Sequence, residues 1–321
     1  MGYEADLLVD RRRLRGRVAL WRTLAFVTLI ALAVIVGFAL AGGSAVPASR
    51  PHVARITIDG LITGDQRTLD LIGDVRKSSA ARAVVVRIDS PGGTTAGSEA
   101  LHDALRRLAQ EKPVVAVVDT LAASGGYIAA LGADRIVARE TSLVGSIGVL
   151  FQYPNVSGLL DKVGVSVEEV KSSPLKAAPN GFSPTSPEAR AALESLVADS
   201  FGWFRRLVQE RRGYDEAALA RVADGRVFTG RQGVDVGLVD ELGGEREAIA
   251  WLSRERGVAE GLPLRAWKRS RQRLGVLEGV ALGAQAIGLE SAAAFFSRLG
   301  AGIPAQRLDG LLALWHPEAE K

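Results

Sequence analysis

Ser124 lies where a strand pattern gives way to a helix pattern. The run Val114–Val118 is continuously apolar, and Ala123-Ser-Gly-Gly-Tyr127 follows it. A serine at this point has its hydroxyl at the end of a strand, beside the amides of Gly125 and Gly126 at the positive end of a helix. Such an arrangement suits acyl transfer through an oxyanion. A helix cap is the alternative, since serine is a common N-cap residue, and this pattern alone leaves both open.

The rest of the composition restricts how such a serine could be activated. The chain has no cysteine, which excludes thiol catalysis and disulfides, and its only histidines are His52, His102 and His316. His52 adjoins an apolar segment, His316 lies in the tail, and His102 falls in a predicted helix, where we expect it to be solvated or packed. A lysine whose charge is suppressed by burial is therefore the expected base.

Lys176 is the main candidate for this lysine base, and it lies 52 residues after Ser124. Ser173-Pro-Leu-Lys176 also fits the S-x-x-K motif of penicillin-binding proteins and β-lactamases. That motif needs a helix, and Pro174 and Pro179 disfavour a helix there. No Lys-Thr-Gly sequence accompanies it.

Short β-branched runs alternate with helical patterns after residue 52. This alternation predicts an α/β domain with a mostly parallel sheet, whose functional sites gather at the carboxyl ends of the strands. A longer helix is predicted over Pro187–Gly213, between the start signal of Ser186 and the stop signal of Gly213, with Leu193, Leu196, Val197, Ser200, Phe204 and Leu207 on one stripe. The predicted strands are Val53–Ile58, Ala83–Ile88, Val114–Val118, Arg135–Val137, Ser146–Leu150 and Val167–Val170, and the shorter helices are Leu69–Lys77, Ala96–Glu111 and Gly125–Leu131.

Two further glycine motifs accompany the serine motif. Pro91-Gly-Gly93 follows one apolar strand, Ala123–Tyr127 follows the next, and Gly145-Ser-Ile-Gly148 comes about twenty residues later. With the segment around Lys176, this ordered set resembles the signal peptide peptidase or protease IV family, over roughly residues 53–250. The resemblance implies a Clp-protease/crotonase-like fold and a membrane-anchored Ser-Lys dyad protease.

The resemblance also implies a role for each matching residue. Ser124 would be the nucleophile, Lys176 the general base, and Ser146 would orient the lysine amine, while the amides of Gly93 and Gly125 would form the oxyanion hole. Lys171 is a weaker candidate for the base, because the residues before Lys176 depart from the family pattern. A lysine base must be neutral near pH 7, and the apolar neighbours of Lys176, with no acid between residues 169 and 188, favour that form.

Residues 23–46 form an uncharged segment of 24 residues, long enough to span a bilayer core of roughly 30 Å. Six arginines and only three acids precede it, so we expect residues 1–22 to be cytoplasmic and the remainder to be exported. The expected location is the inner membrane, with the catalytic domain on the periplasmic or extracytoplasmic side. A cleaved signal peptide with its cleavage site near Gly43–Ala45 is the alternative.

The domain organisation follows from these segments. After the anchor come a linker at 47–52, a peptidase domain at 53–260 and a C-terminal helical extension at 261–321. From Gly275 to Gly300 the extension is nearly uncharged, so we expect interface or membrane-surface helices there.

The net charge of +4 does not indicate nucleic-acid binding, because residues 1–22 contribute +6 − 3 = +3 of it. Basic clusters at Arg205-Arg206, Arg211-Arg212 and Lys268–Arg273 are typical of solvated helix faces. We expect no metal and no cofactor. The expected partners are signal peptides and other peptides, the lipid bilayer through residues 23–46, and further copies of this chain. The chain has one catalytic repeat, whereas longer relatives place serine and lysine in different repeats, so the resemblance implies a dyad shared between neighbouring subunits.

Two other functions stay open on the sequence. A crotonase-type acyl-CoA enzyme would share the fold and a two-amide oxyanion site, although export of the domain disfavours it. An inactive membrane-tethered scaffold of the same fold is the alternative that is not an enzyme.

Overall fold

A computed structural model of the chain describes residues 17, 18, 20–25, 28, 50–268 and 312–314. The described residues from 50 onward belong to one compact unit, formed by residues 48–269 and 305–321. The predicted anchor at 23–46 lies mostly outside the described residues, as do Gly275–Gly300 and His316. Within the described part, no helix combines the length and the apolar content that crossing a bilayer requires.

The centre of the unit is a mixed, mostly parallel β-sheet. The described strands are β1 (His52–Asp59), β2 (Ala81–Ser90), β3 (Gly92–Thr94), β4 (Val114–Ala123), β5 (Arg135–Ala138), β6 (Leu143–Gly145), β7 (Val227–Thr229), β8 (Glu241–Leu242), β9 (Leu264–Ala266) and β10 (Leu312–Leu314). In the main sheet they run in the order β7-β6-β4-β2-β1-β9, with β5 beside β4 and β8 beside β5, and every pairing except that of β6 with β7 is parallel. A separate antiparallel pair joins β3 and β10. The expected α/β architecture with a mostly parallel sheet is confirmed.

Helices cover both faces of this sheet. Successive residues of a strand point to opposite faces, so Val84, Val86 and Ile88 of β2 join the larger core, whereas Ala83 and Val85 join a smaller core on the other side. Within residues 50–268 the helices are α1 (Gln66–Lys77), α2 (Thr95–Ala109), α3 (Gly125–Ala130), α4 (Ser157–Val163), α5 (Pro187–Arg212), α6 (Glu216–Val222), α7 (Gly230–Asp235) and α8 (Glu245–Arg256).

The helix predictions agree with these bounds to within a few residues. Helix α5 begins after Ser186, whose hydroxyl accepts a hydrogen bond from the Ala189 amide, and it ends at Gly213 in the left-handed conformation. Its predicted apolar stripe is only half correct. Phe204 and Leu207 are buried, but Leu196 is 51% exposed. The first half of α5 therefore presents apolar surface to solvent in this single chain.

Two predicted strands are wrong. Residues 146–149 are irregular and strand β6 lies earlier, at Leu143–Gly145, because Gly145 and Ser146 both have positive φ and end the extended run. Val167–Val170 is also irregular and exposed, and it pairs with no strand of the described residues. Residues 264–266 and 312–314, which the sequence places in a helical extension, are strands β9 and β10.

Arg211 and Arg212 are also not solvated, contrary to expectation. The Arg211 guanidinium donates to the carbonyl oxygens of Leu131 and Ala133, at 2.9 and 2.8 Å, just beyond the end of α3. Arg212 pairs with Asp240 at 2.8 Å. These cations therefore hold α5 against the rest of the fold.

Candidate active site

Ser124 occupies a sharp turn between β4 and α3. Its backbone has φ 53° and ψ −116°, in the left-handed half of conformational space that side chains other than glycine rarely adopt. Three backbone hydrogen bonds hold this conformation: the Ser124 amide donates to Gly145 O at 2.7 Å, and Ser124 O accepts from the amides of Tyr127 and Ile128 at 2.9 and 3.0 Å. Strained strand-to-helix turns of this kind are typical of nucleophilic serines.

The Ser124 hydroxyl does not cap the helix. No hydrogen bond joins it to an amide of the first turn of α3. Among the described residues, its only hydrogen-bond partner is the carbonyl oxygen of Gly148 at 3.5 Å, the outer limit for a hydrogen bond, and the residue is 1% exposed. The helix-cap alternative is therefore wrong, and the hydroxyl remains available for chemistry.

Ser146 lies beside Ser124 because of strand register. Strand β6 runs parallel to β4 with Gly145 opposite Ala123, so each serine directly follows a paired residue. Ser146 is 7% exposed, has φ 51°, and its amide donates to Arg226 O at 2.8 Å. The two serines are thus brought together at the carboxyl ends of adjacent strands.

Gly93 and Gly125 converge on the same region, since β3 packs against α3. The Gly125 amide is among the first in α3, which have no acceptor within the helix. A side chain at residue 93 is impossible, because a Cβ there would lie 1.8 Å from the carbonyl oxygen of Ile62. The Ile62 amide donates to Gly92 O at 2.8 Å and the Thr94 amide donates to Ile62 O at 2.9 Å.

Tyr127 holds the first turn of α3 in place through its buried side chain. The side chain is fully buried, and its hydroxyl donates to Leu238 O at 2.9 Å. Burial raises the pKa of this phenol far above its ordinary value, so Tyr127 acts as a neutral donor. The tyrosine of the Ser-Gly-Gly-Tyr motif is thus structural.

Lys176 is not brought to Ser124 within this chain. It lies in an exposed turn, where its amide donates to Ser173 O at 3.1 Å, and its amine makes no hydrogen bond or ion pair with any described residue. The turn also lacks the helix that the penicillin-binding-protein motif requires. Lys171, the weaker candidate, is engaged elsewhere: its amine lies 2.5 Å from Glu169 and lowers the pKa of that carboxyl.

Residues 151–186, here called the arm, are held together mainly by their own contacts. Tyr153 bonds Thr185 at 2.7 Å, and the Val156 amide donates to Gly181 O at 2.8 Å. The arm carries seven of the large apolar side chains that are exposed in the described part of the chain, namely Leu159, Val163, Val165, Val167, Val170, Leu175 and Phe182. Lys176 thus lies on a surface that is unusually apolar for one exposed to water.

The two described histidines have hydrogen-bond partners other than the site residues. His52 is buried, accepts a hydrogen bond at 3.0 Å from the Trp267 indole through Nε2, and its Nδ1 bonds Arg50 O at 3.0 Å. His102 is 7% exposed and its Nδ1 lies 3.1 Å from Asp103. His102 is therefore packed, one of the two outcomes expected, and neither ring is bonded to Ser124.

Comparison with known proteins identifies the family. Residues 106–259 match the model of peptidase family S49. The chain is 38% identical over 205 residues to the putative protease slr0021 of Synechocystis, covering 63% of this chain and 74% of that protein. This chain belongs to peptidase family S49. The expected resemblance is confirmed, since relatives in this family include a putative signal peptide peptidase SppA from Enterococcus faecium, 30% identical over 227 residues and 66% of each chain.

A search of solved structures gives a ClpP1 point mutant from Listeria monocytogenes, with a TM-score of 0.41 and 15% identity, covering 61% of this chain and 94% of that one. Because the chain belongs to peptidase family S49, its enzyme class is protease.

One feature of the site could not be predicted from the sequence. Strand β10 lies antiparallel to β3, with Ala313 opposite Gly93, although more than 200 residues separate them. No local pattern indicates such a pairing.

Proposed function

We propose that this S49 peptidase is a serine endopeptidase anchored by residues 23–46, with Ser124 as nucleophile and Lys176 as general base. The observation that carries the proposal is the Ser124 turn. It places at the amino terminus of α3 a hydroxyl that makes no capping hydrogen bond to the helix. Its neighbours in the hydrogen-bond network, Gly145, Gly148, Tyr127 and Ile128, carry no charge. A peptide with apolar or small side chains suits such a site.

The reaction passes through an acyl-enzyme. Ser124 Oγ attacks the scissile carbonyl carbon while the Lys176 amine takes the hydroxyl proton. The amides of Gly93 and Gly125 donate to the oxyanion, and Lys176 then returns the proton to the leaving amine. Water, activated by the same lysine, releases the acid product and restores Ser124. Ser146 accepts a hydrogen bond from the lysine amine and orients it.

The dyad forms between two subunits. A lysine accepts a proton near pH 7 only when its amine is held neutral in dry surroundings, yet Lys176 is exposed in the single chain. The exposed apolar residues of the arm and the first half of α5 supply a surface for a second copy to cover. In the oligomer, Lys176 of one subunit meets Ser124 of its neighbour.

The substrates are cleaved signal peptides or similar peptides that remain close to the membrane. The anchor holds the catalytic domain on the extracytoplasmic side of the inner membrane, beside the place where such peptides accumulate after secretion. The relative named as a putative signal peptide peptidase supports this assignment.

Hydrolysis of an apolar reporter peptide by the full chain in lipid vesicles tests the dyad. Ser124→Ala and Lys176→Ala should each lower kcat by more than about 10³-fold, because members of a dyad act as a unit. Lys171→Ala is the matched control, since Lys171 is paired with Glu169, and it should keep activity within about twofold of the unaltered chain. If Lys171→Ala lost activity and Lys176→Ala retained it, Lys171 would be the general base and Lys176 would not.

A serine-reactive fluorophosphonate separates the enzyme from an inactive scaffold of the same fold. Labelling at Ser124 in the unaltered chain, and none in Ser124→Ala, supports the peptidase. Absence of labelling in a folded oligomer would favour the scaffold. Turnover of an acyl-CoA thioester without peptide hydrolysis would favour the crotonase-type alternative.

A further inference from the structure

The turn at residues 224–226 lies against the residues that end β6. Strand β7, which begins directly after this turn, runs antiparallel to β6 with Val227 opposite Gly145. The Ser146 amide donates to Arg226 O at 2.8 Å, and a Cβ added to Gly145 would lie 3.4 Å from the same oxygen. The carbonyl group of Arg226 therefore borders both residues that form the turn after β6.

Ser146 needs support of this kind from outside its own segment. Its φ of 51° is rare for a residue with a side chain, and such a conformation persists only where the surrounding structure holds it. The hydrogen bond to Arg226 O fixes the peptide group that precedes Ser146. Because the side chain leaves from the adjoining Cα, loss of this bond would move the Ser146 hydroxyl.

Asp224 holds Arg226 by two hydrogen bonds. One carboxylate oxygen accepts from the Arg226 amide at 3.2 Å, and the other accepts from the guanidinium Nε at 2.6 Å. The guanidinium also lowers the pKa of this carboxyl, so Asp224 is ionised at neutral pH. An aspartate that bonds the amide two residues ahead closes a local turn. Asp224 thus fixes the backbone of the residue whose carbonyl group holds Ser146.

The charge of this pair is the less important part of the contact. The side chains of Asp224 and Arg226 are 36% and 65% exposed. Ion pairs between side chains exposed to that degree contribute little to stability. The hydrogen bond from the Arg226 amide to Asp224 is therefore the contact that can transmit a constraint to Ser146.

The geometry points to a further positioning residue: we propose that Asp224 acts through Arg226 on Ser146 and so holds the Ser146 hydroxyl where it orients the general base. The proposal rests on the proposed function, in which Ser146 accepts a hydrogen bond from the Lys176 amine. Asp224 takes no part in binding the peptide or in moving the proton. Its loss should therefore lower kcat and leave KM unchanged.

Substitutions at Asp224 test the proposal with an apolar reporter peptide and the full chain in lipid vesicles. Asp224→Ala removes both hydrogen bonds and should lower kcat about tenfold, with KM unchanged. Asp224→Asn keeps an oxygen that can accept from the Arg226 amide, so it should keep kcat within about threefold of the unaltered chain. Equal kcat for Asp224→Ala and the unaltered chain would overturn the proposal.

Asp215→Ala is the matched control. Asp215 is also an exposed aspartate that accepts from a backbone amide, that of Ala218 at 2.7 Å, at the start of α6. Loss of this helix cap should lower the urea midpoint and leave kcat as it is. If Asp215→Ala lowered kcat as much as Asp224→Ala does, the effect would be one of stability and the proposal would be overturned.

A double-mutant cycle tests whether Asp224 acts through Ser146. Asp224→Ala should cost about tenfold in kcat in the otherwise unaltered chain, but less than about twofold in a Ser146→Ala background, because the hydroxyl that it positions is then absent. A tenfold loss in both backgrounds would overturn the proposal, since Asp224 would act by another route.

A measurement that does not depend on catalysis separates this proposal from the proposed function. The Ser146 amide should exchange its hydrogen faster in Asp224→Ala, and at the unaltered rate in Asp224→Asn and Asp215→Ala. An unaltered rate in Asp224→Ala would overturn the proposal even in an active peptidase. If the unaltered chain failed to hydrolyse peptides, the proposed function would be rejected, whereas faster exchange in Asp224→Ala would still support the hold of Asp224 on Ser146.

Discussion

The amide of Ser124 donates a 2.7 Å hydrogen bond to the carbonyl oxygen of Gly145. Both flanking strands end at this bond, since Ala123 of β4 is paired with Gly145 of β6. Ser124, Gly145 and Ser146 all have positive φ. The bond therefore joins two turns on neighbouring strands, and each turn holds a serine in a backbone conformation that is unfavourable by itself. The strain at the nucleophile is therefore maintained by the neighbouring strand end.

Gly145→Ala should disturb this pair of turns. Gly145 has φ +92°, and an added Cβ would lie 3.0 Å from Phe228 Cδ2. We expect a loss of about 1–3 kcal/mol in the free energy of unfolding, measured by urea denaturation, and a larger than tenfold loss of kcat as Ser124 shifts. Gly158→Ala is the control, because an added Cβ there has no neighbour within 4 Å and the residue lies in α4. If Gly145→Ala kept both stability and kcat, the strained pairing would have no role.

The sequence predicted the elements whose signal is local. The apolar run Val114–Val118 is a buried strand, and the Ser186 and Gly213 signals mark the limits of α5. The left-handed turn at Ser124 was not predictable, because a serine seldom adopts it and one of the bonds that hold it comes from Gly145, on a neighbouring strand. The sequence also ranked Lys176 above Lys171 but could not place it, since its local pattern does not indicate the exposed turn in which it lies.

Other errors arise from the same limit. Val167–Val170 has the composition of a strand, yet these residues are exposed in the arm and no strand lies beside them. Arg211 was expected to be solvated, because nothing in its local sequence reveals the carbonyl groups near residue 131 that it contacts from α5. The environment of such residues depends on partners that are distant in the sequence, and local periodicity does not predict these partners.

Arg211→Ala should destabilise the fold through α3. Its guanidinium donates to Leu131 O and Ala133 O at the carboxyl end of that helix, where positive charge is favourable. Loss of two hydrogen bonds from a partly buried cation should cost about 2 kcal/mol in the free energy of unfolding. Arg206→Ala, an exposed arginine in the same helix, should change it by less than about 0.5 kcal/mol. Equal effects on the urea midpoint would contradict the role of Arg211.

His102 should make stability depend on pH. Burial lowers the pKa of this imidazole below 6.5, against a smaller opposing effect of Asp103, while Arg106 and Arg211 also lower it. The unfolded chain then binds the proton more readily than the folded chain. Stability is therefore complete above about pH 6.5 and falls as pH drops from there toward the folded pKa.

Replacing the ring isolates that contribution. Urea midpoints at pH 7.5 and 5.5 should differ less in His102→Leu than in the unaltered chain, because His52 and His316 are common to both. If the two chains lost stability in parallel on acidification, His102 would not be the group responsible.

Mixed oligomers test whether the dyad is shared between subunits. Ser124→Ala chains keep Lys176, and Lys176→Ala chains keep Ser124, so each is inactive when assembled alone. In random equal mixtures, half of the serines are intact and half of these face an intact lysine. Activity should therefore return to about one quarter of that of the unaltered chain. Ser124→Ala mixed with a Ser124→Ala, Lys176→Ala double variant is the control and should stay inactive, because it contains no nucleophile. Verified mixed oligomers without any recovery would show that each chain carries its own site. Recovery that falls when the protein is diluted below the dissociation constant of the oligomer would locate the dyad at the interface that the arm and the first half of α5 present.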